Sequence, residues 1–471
     1  MSNFTTSMLG DISEYITSGS RDWSKYYSDT GALFVRTQDI NKNRLDTSSS
    51  ARVALPDKVE GKRTRLKKGD LLVTITGANV GKCAVVDWDI EEAYVSQSVA
   101  LIRLKCPDSA KFIYHQLTCK DGDQTYLEKA AYGLGRPVLN LTNMREVPIV
   151  LASSNIQKDI VSEIEKQFSR LDEAVVSLKR IQANLKRYKA AVLKAAVEGK
   201  LTEQWRKDHP DVEPADQLLK RILAERRVKW EAEELAKMKA KGTKPKDDSW
   251  KKKYKEPAGP DTASLPELPE GWVWATIDAM AFVTKLAGFE YTKYVKYDPE
   301  GDLAVIKAEN AGKNGFKRTD FSRIQSSTVA QLTRSQVSAG DLLMVFVGAG
   351  TGNVARVPDD QKYFLGPNIA MISIESTMLY PAYLELFLRS SLGNSLTTGF
   401  MKAVAQPSLS MGTIRQISVV VPPINEQQVI LAEIDRRLSV TEELEATIKT
   451  NLKRAERLRQ TILQQAFSGQ R

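Results

Sequence analysis

Apolar positions along this chain fall into two textures. Over two long stretches they recur every three or four residues among charged neighbours, the signature of one buried helix face. Elsewhere they come as short β-rich runs closed by glycine. Leu71–Thr76 and Leu342–Val347 predict strand, glycine turn and strand, and short helices fit around Lys111–Thr118 and Tyr383–Leu388. The first long stretch carries Leu171, Ala174, Leu178, Ile181, Leu185, Tyr188, Val192 and Ala195 at alternating spacings of three and four, the seam of a coiled coil. In the second, Leu444, Ile448, Leu458 and Ile462 hold the stripe, while Thr441, Asn451 and Gln465 interrupt it. Asn155 and Asn425 read as N-caps, the second with Gln428 as capping-box partner. Pro422 and Pro423 block an earlier start, and Gly199 and Gly469 suit the stops. A run of roughly 43 residues spans about 65 Å at about 1.5 Å per residue, a ruler rather than a core helix.

Both textures occur twice. A shift of 270 residues lays Val150–Leu201 on Val420–Arg471 without a gap, matching Asn155 with Asn425, Gln157 with Gln427, Arg187 with Arg457 and Gly199 with Gly469. Ahead of the helices the repeat is fainter: GDLLVTITGANVGKCAVV from Gly69 matches GDLLMVFVGAGTGNVARV from Gly340, and FVRTQDINKN from Phe34 matches VIKAENAGKN from Val305. GRPVLNLTNMREV from Gly135 lies over AQPSLSMGTIRQI from Ala405. Frames persist while exposed-looking residues change, as expected of one fold reading two targets. The expected class is α+β: two mixed α/β segments separated by a long antiparallel two-helix coiled coil, with a pseudo-twofold internal repeat. The plainer alternative is two amphipathic helices, each packed on its own core.

With 471 residues, two domains are expected. A net charge of +10 favours a polyanionic partner, because lysine and arginine near phosphates release counterions. Three cysteines (Cys83, Cys106 and Cys119) without CxxC spacing argue against a disulfide frame or zinc site. No apolar stretch is long enough for a bilayer, and the start lacks the form of a secretory signal, so a cytoplasmic protein is expected.

Candidate catalytic motifs fail on inspection. GANVGKC has only three residues between its glycines, and Cys83 stands where a phosphate-binding loop needs Ser or Thr for magnesium. GAGTG lacks its middle glycine in the first copy. Val421 and Ile424 around Pro422–Pro423 are wrong for the diproline of amino-methyltransferases, and two histidines make no zinc cluster. The lysine-rich run from Lys239 to Lys255 reads as a solvated linker, with phosphate contact as the alternative. Arg36, Arg63, Arg65, Lys82 and Arg136 in the first segment lie in or near predicted loops, as do Lys307, Lys313, Lys317, Arg318 and Lys402 in the second. These serve solubility or contact DNA. Gln38, Gln97, Asn140, Asn310, Asn368 and Gln406 can read base edges or cap turns.

The whole chain resembles the specificity subunit of Type I restriction–modification enzymes. LPELPEGWVWATI from Leu265 is similar to that family's lead-in to a target-recognition domain, VVVPPINEQQVILAEID from Val419 to the entry of its helical repeat, and VLKAAVEGKLTEQWR from Val192 to the end of the central one. The resemblance implies target-recognition domains at 1–150 and 263–420, helical repeats at 151–200 and 421–471, and a helical tail with basic linker at 201–262. It implies double-stranded DNA, two methyltransferase subunits and restriction/translocase subunits as partners. S-adenosylmethionine, ATP and Mg would belong to those partners, with no cofactor in this chain. Two departures stand out: the tail from Leu201 exists once, and the first half lacks the LPEGW lead-in. A coiled-coil scaffold binding DNA without sequence specificity, or a single-chain DNA methyltransferase, remain the alternatives.

Overall fold

The β-rich runs are apolar on both faces because each serves two cores at once. In a computed structural model describing residues 4–56, 62–120, 126–133, 137–245, 247–374, 379–401 and 407–467, the chain divides into two units. One comprises residues 1–181 with 446–471, the other 182–445. In the first, an antiparallel sheet runs in the order Ser13–Ser18, Val99–Leu104, Leu71–Thr74, Cys83–Val85. Leu71 and Val73 face a core with Phe112 and Ile113, while Leu72 faces another with Val35 and Val95. The second unit repeats this order with Phe282–Lys285, Ile369–Ser373, Leu342–Val345 and Val354–Arg356. There Leu342 and Met344 enter one core, and Leu343 and Val345 another.

A second sheet in each unit joins a parallel pair to an antiparallel neighbour. Ala32–Val35 runs parallel to Ala93–Val95 and antiparallel to Ala51–Val53. Leu303–Ile306 does the same with Tyr363–Leu365 and Arg323–Ile324. The edges differ: Tyr27–Ser28 extends the first sheet beside Ala51–Val53, Gln336–Val337 the second beside Tyr363–Leu365. Helices Ala110–Thr118 and Pro381–Arg389 lie where short helices are expected. The strands after Leu71 and Leu342 end two residues early, because Thr76 and Val347 bridge to Val138 and Ser408 instead.

Two-stranded ribbons, Phe4–Met8 with Pro148–Ala152 and Val273–Thr276 with Ser418–Val421, deliver the chain into the long helices. These are Ser154–Val197 and Ile424–Phe467, of 44 residues each. Asn155 and Asn425 therefore lie inside the first turn and are not caps. Ser153 and Pro423 carbonyls instead accept the first bonds, from the Gln157 and Gln427 backbones, and those glutamine side chains reach back to the Ala152 and Pro422 carbonyls. Gln428 bonds the Tyr380 hydroxyl rather than closing a capping box. Gly199 stops the first helix at φ +69°, with Lys200 N–H bonding the Ala195 carbonyl and Gly199 N–H that of Ala196. Gly469 lies outside the described residues.

The buried stripe takes the other phase of the three-four alternation. Leu171, Leu178, Leu185 and Val192 are common to both phases, and between them Val175 and Lys189 turn inward rather than Ala174 and Tyr188. Ile181 and Tyr188 are 47% and 42% exposed. In the second helix Thr441, Ile448, Leu452, Ala455, Arg459 and Ile462 form the stripe, and Leu444 and Leu458 are 45% and 46% exposed. Charge settles the phase. In the second unit Lys189 bonds Glu445 at 2.8 Å; in the first, Arg459 pairs with Asp172 and covers the Phe168 ring. Long aliphatic stems fill the stripe while their charged ends find partners.

The single-copy tail folds against the second unit. Helix Ala215–Ala240 buries Ala215, Leu218 and Ile222. Glu426, fully buried, accepts bonds from Thr202 Oγ1 at 2.6 Å, Arg206 Nη1 at 2.5 Å and Trp272 Nε1 at 2.8 Å. Among the described residues no helix is long and apolar enough to cross a membrane.

Candidate nucleic-acid interface

Three loops are knitted together at the same strand ends in both units. The first follows Ala32–Val35 or Leu303–Ile306: a short 3-10 turn (Thr37–Asp39; Ala308–Asn310) leading into a small hairpin. The turn is braced alike in both, by Asp39 Oδ2 accepting from Arg36 N–H at 2.7 Å and by Asn310 Oδ1 accepting from Lys307 N–H at 2.8 Å. Burial raises the Asp39 carboxyl above its usual range, against the opposing pull of its bonds to Arg36. The second loop is the glycine turn, with Gly77 and Gly81 in the first unit and Gly348 and Gly352 in the second at positive φ. The third begins at Pro137 or Pro407, whose carbonyl accepts from Gly77 or Gly348 N–H. Asn79 Nδ2 ties the glycine turn to the Thr37 carbonyl at 3.2 Å, and Asn353 Nδ2 ties its counterpart to Ala311 at 3.3 Å.

The glycine turn is no phosphate cradle. Gly77, Val80, Gly81 and Lys82 N–H groups are spent on Pro137, Gly77, Thr74 and Asn79 carbonyls, so these donors do not point at a ligand. Among the described residues no group of His, Cys, Asp or Glu is placed to hold a metal.

The candidate readers separate into usable and committed side chains. Gln38, Arg65, Gln97, Lys313 and Asn368 are exposed. Gln97 and Asn368 occupy the same turn between strands in their respective units, Asn368 at φ +63°. Lys317 is also exposed, its stem against Gly312. Others have partners. Arg36 faces Asp39 at 3.7 Å, Lys82 pairs with Glu128 at 2.8 Å, and Arg318 with Asp360 at 2.8 Å. Arg63 Nε donates to Thr17 at 3.2 Å, and Lys307 Nζ donates to Ser322 at 2.7 Å while covering the Tyr297 ring. For two of the candidates the structure shows the turn-capping alternative. Asn310 is buried, and its amide also donates to the Lys317 carbonyl and Thr319 hydroxyl, so it holds its hairpin and reaches no base. Asn140 caps helix Leu141–Arg145 by accepting from Asn143 N–H at 2.7 Å, as Ser410 does for Thr413; a bidentate base contact would break that cap. Arg136, Lys402 and Gln406 lie outside the described residues.

Sequence reasoning missed Lys42. It sits with Asn43 at the hairpin tip, both at positive φ, and Asn43 anchors the tip through Cys83 N–H and the Tyr114 hydroxyl. Lys313 is its repeat counterpart, and the KN pair kept in both copies was the available signal. Tyr132, 57% exposed beside the third loop of the first unit, carried no such signal. Asn310→Ala is expected to cost the second unit about 1–3 kcal/mol by leaving Lys307 N–H unpaired, measured as a lower denaturation midpoint.

Comparison with known proteins follows the same division. The family model for the Type I restriction modification DNA specificity domain matches residues 1–187 and 269–454. The Type I restriction enzyme EcoBI specificity subunit of Escherichia coli is 28% identical over 42% of this chain, and that match spans 42% of its own length. The EcoKI specificity subunit of Escherichia coli strain K12 is 21% identical over 94% of this chain and 83% of its own. A solved chain from work on complex assembly and conformational transition of the type I R-M system superposes with a TM-score of 0.62 at 17% identity, covering 98% of this chain and 97% of that one.

Proposed function

Because this chain belongs to the Type I restriction–modification DNA specificity family, we propose that it is the DNA-recognition subunit of such a complex, each unit reading one half of a bipartite, asymmetric duplex target. One observation carries the reading: the same three-loop frame occurs in both units, with different side chains at equivalent places. Gln38 aligns with Glu309 across the repeat, while Lys42 and Lys313 stay basic. A kept frame with basic anchors suits phosphate positioning, and changed polar residues suit base-edge discrimination. The long helices act as an antiparallel spacer that sets the distance between half-sites and docks two methyltransferase subunits, with restriction/translocase subunits joining them. Chemistry, with its S-adenosylmethionine, ATP and Mg, resides in those partners.

The test is methylation mapping of the complex reconstituted with its methyltransferase partner. One split, asymmetric motif is expected; equal modification of scrambled DNA would favour a scaffold, and methyl transfer by this chain alone would revive the single-chain enzyme. Exchanging residues 270–415 for those of another family member is expected to change one half of the motif only. Altered recognition of both halves would end the modular reading.

A further inference from the structure

We propose that the single-copy arm between the two family-matched segments is a second, sequence-independent contact to duplex DNA. This rests on the recognition function proposed above. Between residues 237 and 255 the chain places nine lysines against two aspartates, so seven of its ten net positive charges are concentrated there. The basicity that pointed to a polyanion in the sequence thus lies mainly outside the two recognition segments.

The structure changes the character of this run from loose linker to folded arm. Helix Ala215–Ala240 projects beyond its buried N-terminal turns, and the chain then folds back through the short 3-10 helix Asp248–Lys253. Trp250 is buried and stacks on Trp230 with ring centroids 5.9 Å apart; Tyr254 packs on Trp230 at 5.3 Å. Arg227 covers the Tyr254 ring, and Lys251 is held by Glu231 and Asp248. Glu231 is half-buried in this brace, whereas Asp247 and Asp248 stay exposed beside the lysines. Lys239, Lys241, Lys244, Lys252, Lys253 and Lys255 remain exposed and make no ion pair among the described residues. Exposed cations without an ion-pair partner are the groups that release counterions when a phosphate backbone approaches. No glutamine or asparagine accompanies them to read bases, so the contact adds affinity without sequence preference.

The six lysines are replaced by glutamine in the full chain, assembled with its methyltransferase partner, and binding to a target duplex and a scrambled duplex is titrated against salt. The slope of log affinity on log salt is expected to lessen by at least ~3, about 0.9 per lysine engaged, with binding to both duplexes roughly 10- to 100-fold weaker near ~0.15 M salt. The methylated motif stays the same, and the six-arginine variant restores the slope. An unchanged slope for both duplexes overturns the arm contact while leaving the recognition reading intact. Unchanged DNA binding with lost partner assembly also overturns it, making the arm a protein-docking surface. Equal affinity of the unaltered complex for both duplexes would instead sink the recognition reading. Circular dichroism of the variants guards against misfolding.

Discussion

Replacing Glu426 by alanine lowers the stability of the second unit by about 3–5 kcal/mol, because it leaves the Arg206 guanidinium without its buried counter-ion. Three donors converge on this carboxylate, and Arg206 in turn holds the Gly199 carbonyl at 2.7 Å and lies over the Trp272 ring. One side chain therefore joins the end of the first long helix, the single-copy tail, the LPEGW lead-in and the start of the second long helix. Five of the seven tryptophans belong to this unit, so indole emission during guanidinium unfolding reports on it. A midpoint shift of about 1 M is expected; a negligible one would show that the network adds nothing. The first repeat has Ile156 at the matching position. Combining Glu426→Ile with Arg206→Met should accordingly recover part of the loss, since much of the cost is the stranded charge rather than the missing bond.

The second large effect concerns pH. His115 is buried on helix Ala110–Thr118, edge-on to Phe168 at 5.7 Å, and neither ring nitrogen has a hydrogen-bond partner among the described residues. Burial first, then the positive charges of Lys111 and Arg459, push its pKa down to about 4. The folded state thus holds the imidazole neutral, while the unfolded chain protonates it near ~6.5. Stability from this group is complete above ~6.5 and is lost as pH falls toward about 4, because the unfolded state binds the extra proton. The loss is about 2 kcal/mol between pH ~7 and ~5. His115→Leu, which keeps an apolar side chain against Phe168, should flatten that dependence in chemical denaturation followed by circular dichroism. A variant with the same acid sensitivity as the parent would assign it to other groups.

Much of the candidate interface was legible in the residues, but not which side chains were free. The repeat located both glycine turns and matched the two segments that fold into the small hairpins, since backbone frames leave strong local signals. Asn310 and Asn140 looked like readers because an amide in a loop has the same letter whether it faces water, a cap or its own backbone. Only the fold spends them, one on a buried brace and one on a helix end.

By itself, the sequence determined the two-fold repetition, the mixed α/β frame, the two long helices, the glycine stop of the first and the proline entry of the second, because periodicity and punctuation are local properties. Tertiary structure decided the phase of the buried stripe. Leu444 or Thr441, Tyr188 or Lys189, fit the three-four spacing equally well, and only Glu445 opposite Lys189 and Asp172 opposite Arg459 chose between them. It also decided that the lysine run is carried on a folded arm, since Trp230 and Trp250 lie twenty residues apart and no local pattern brings their rings together. Long-range pairing of charges and rings is set by which surfaces meet, and that is not written in the spacing of any one segment.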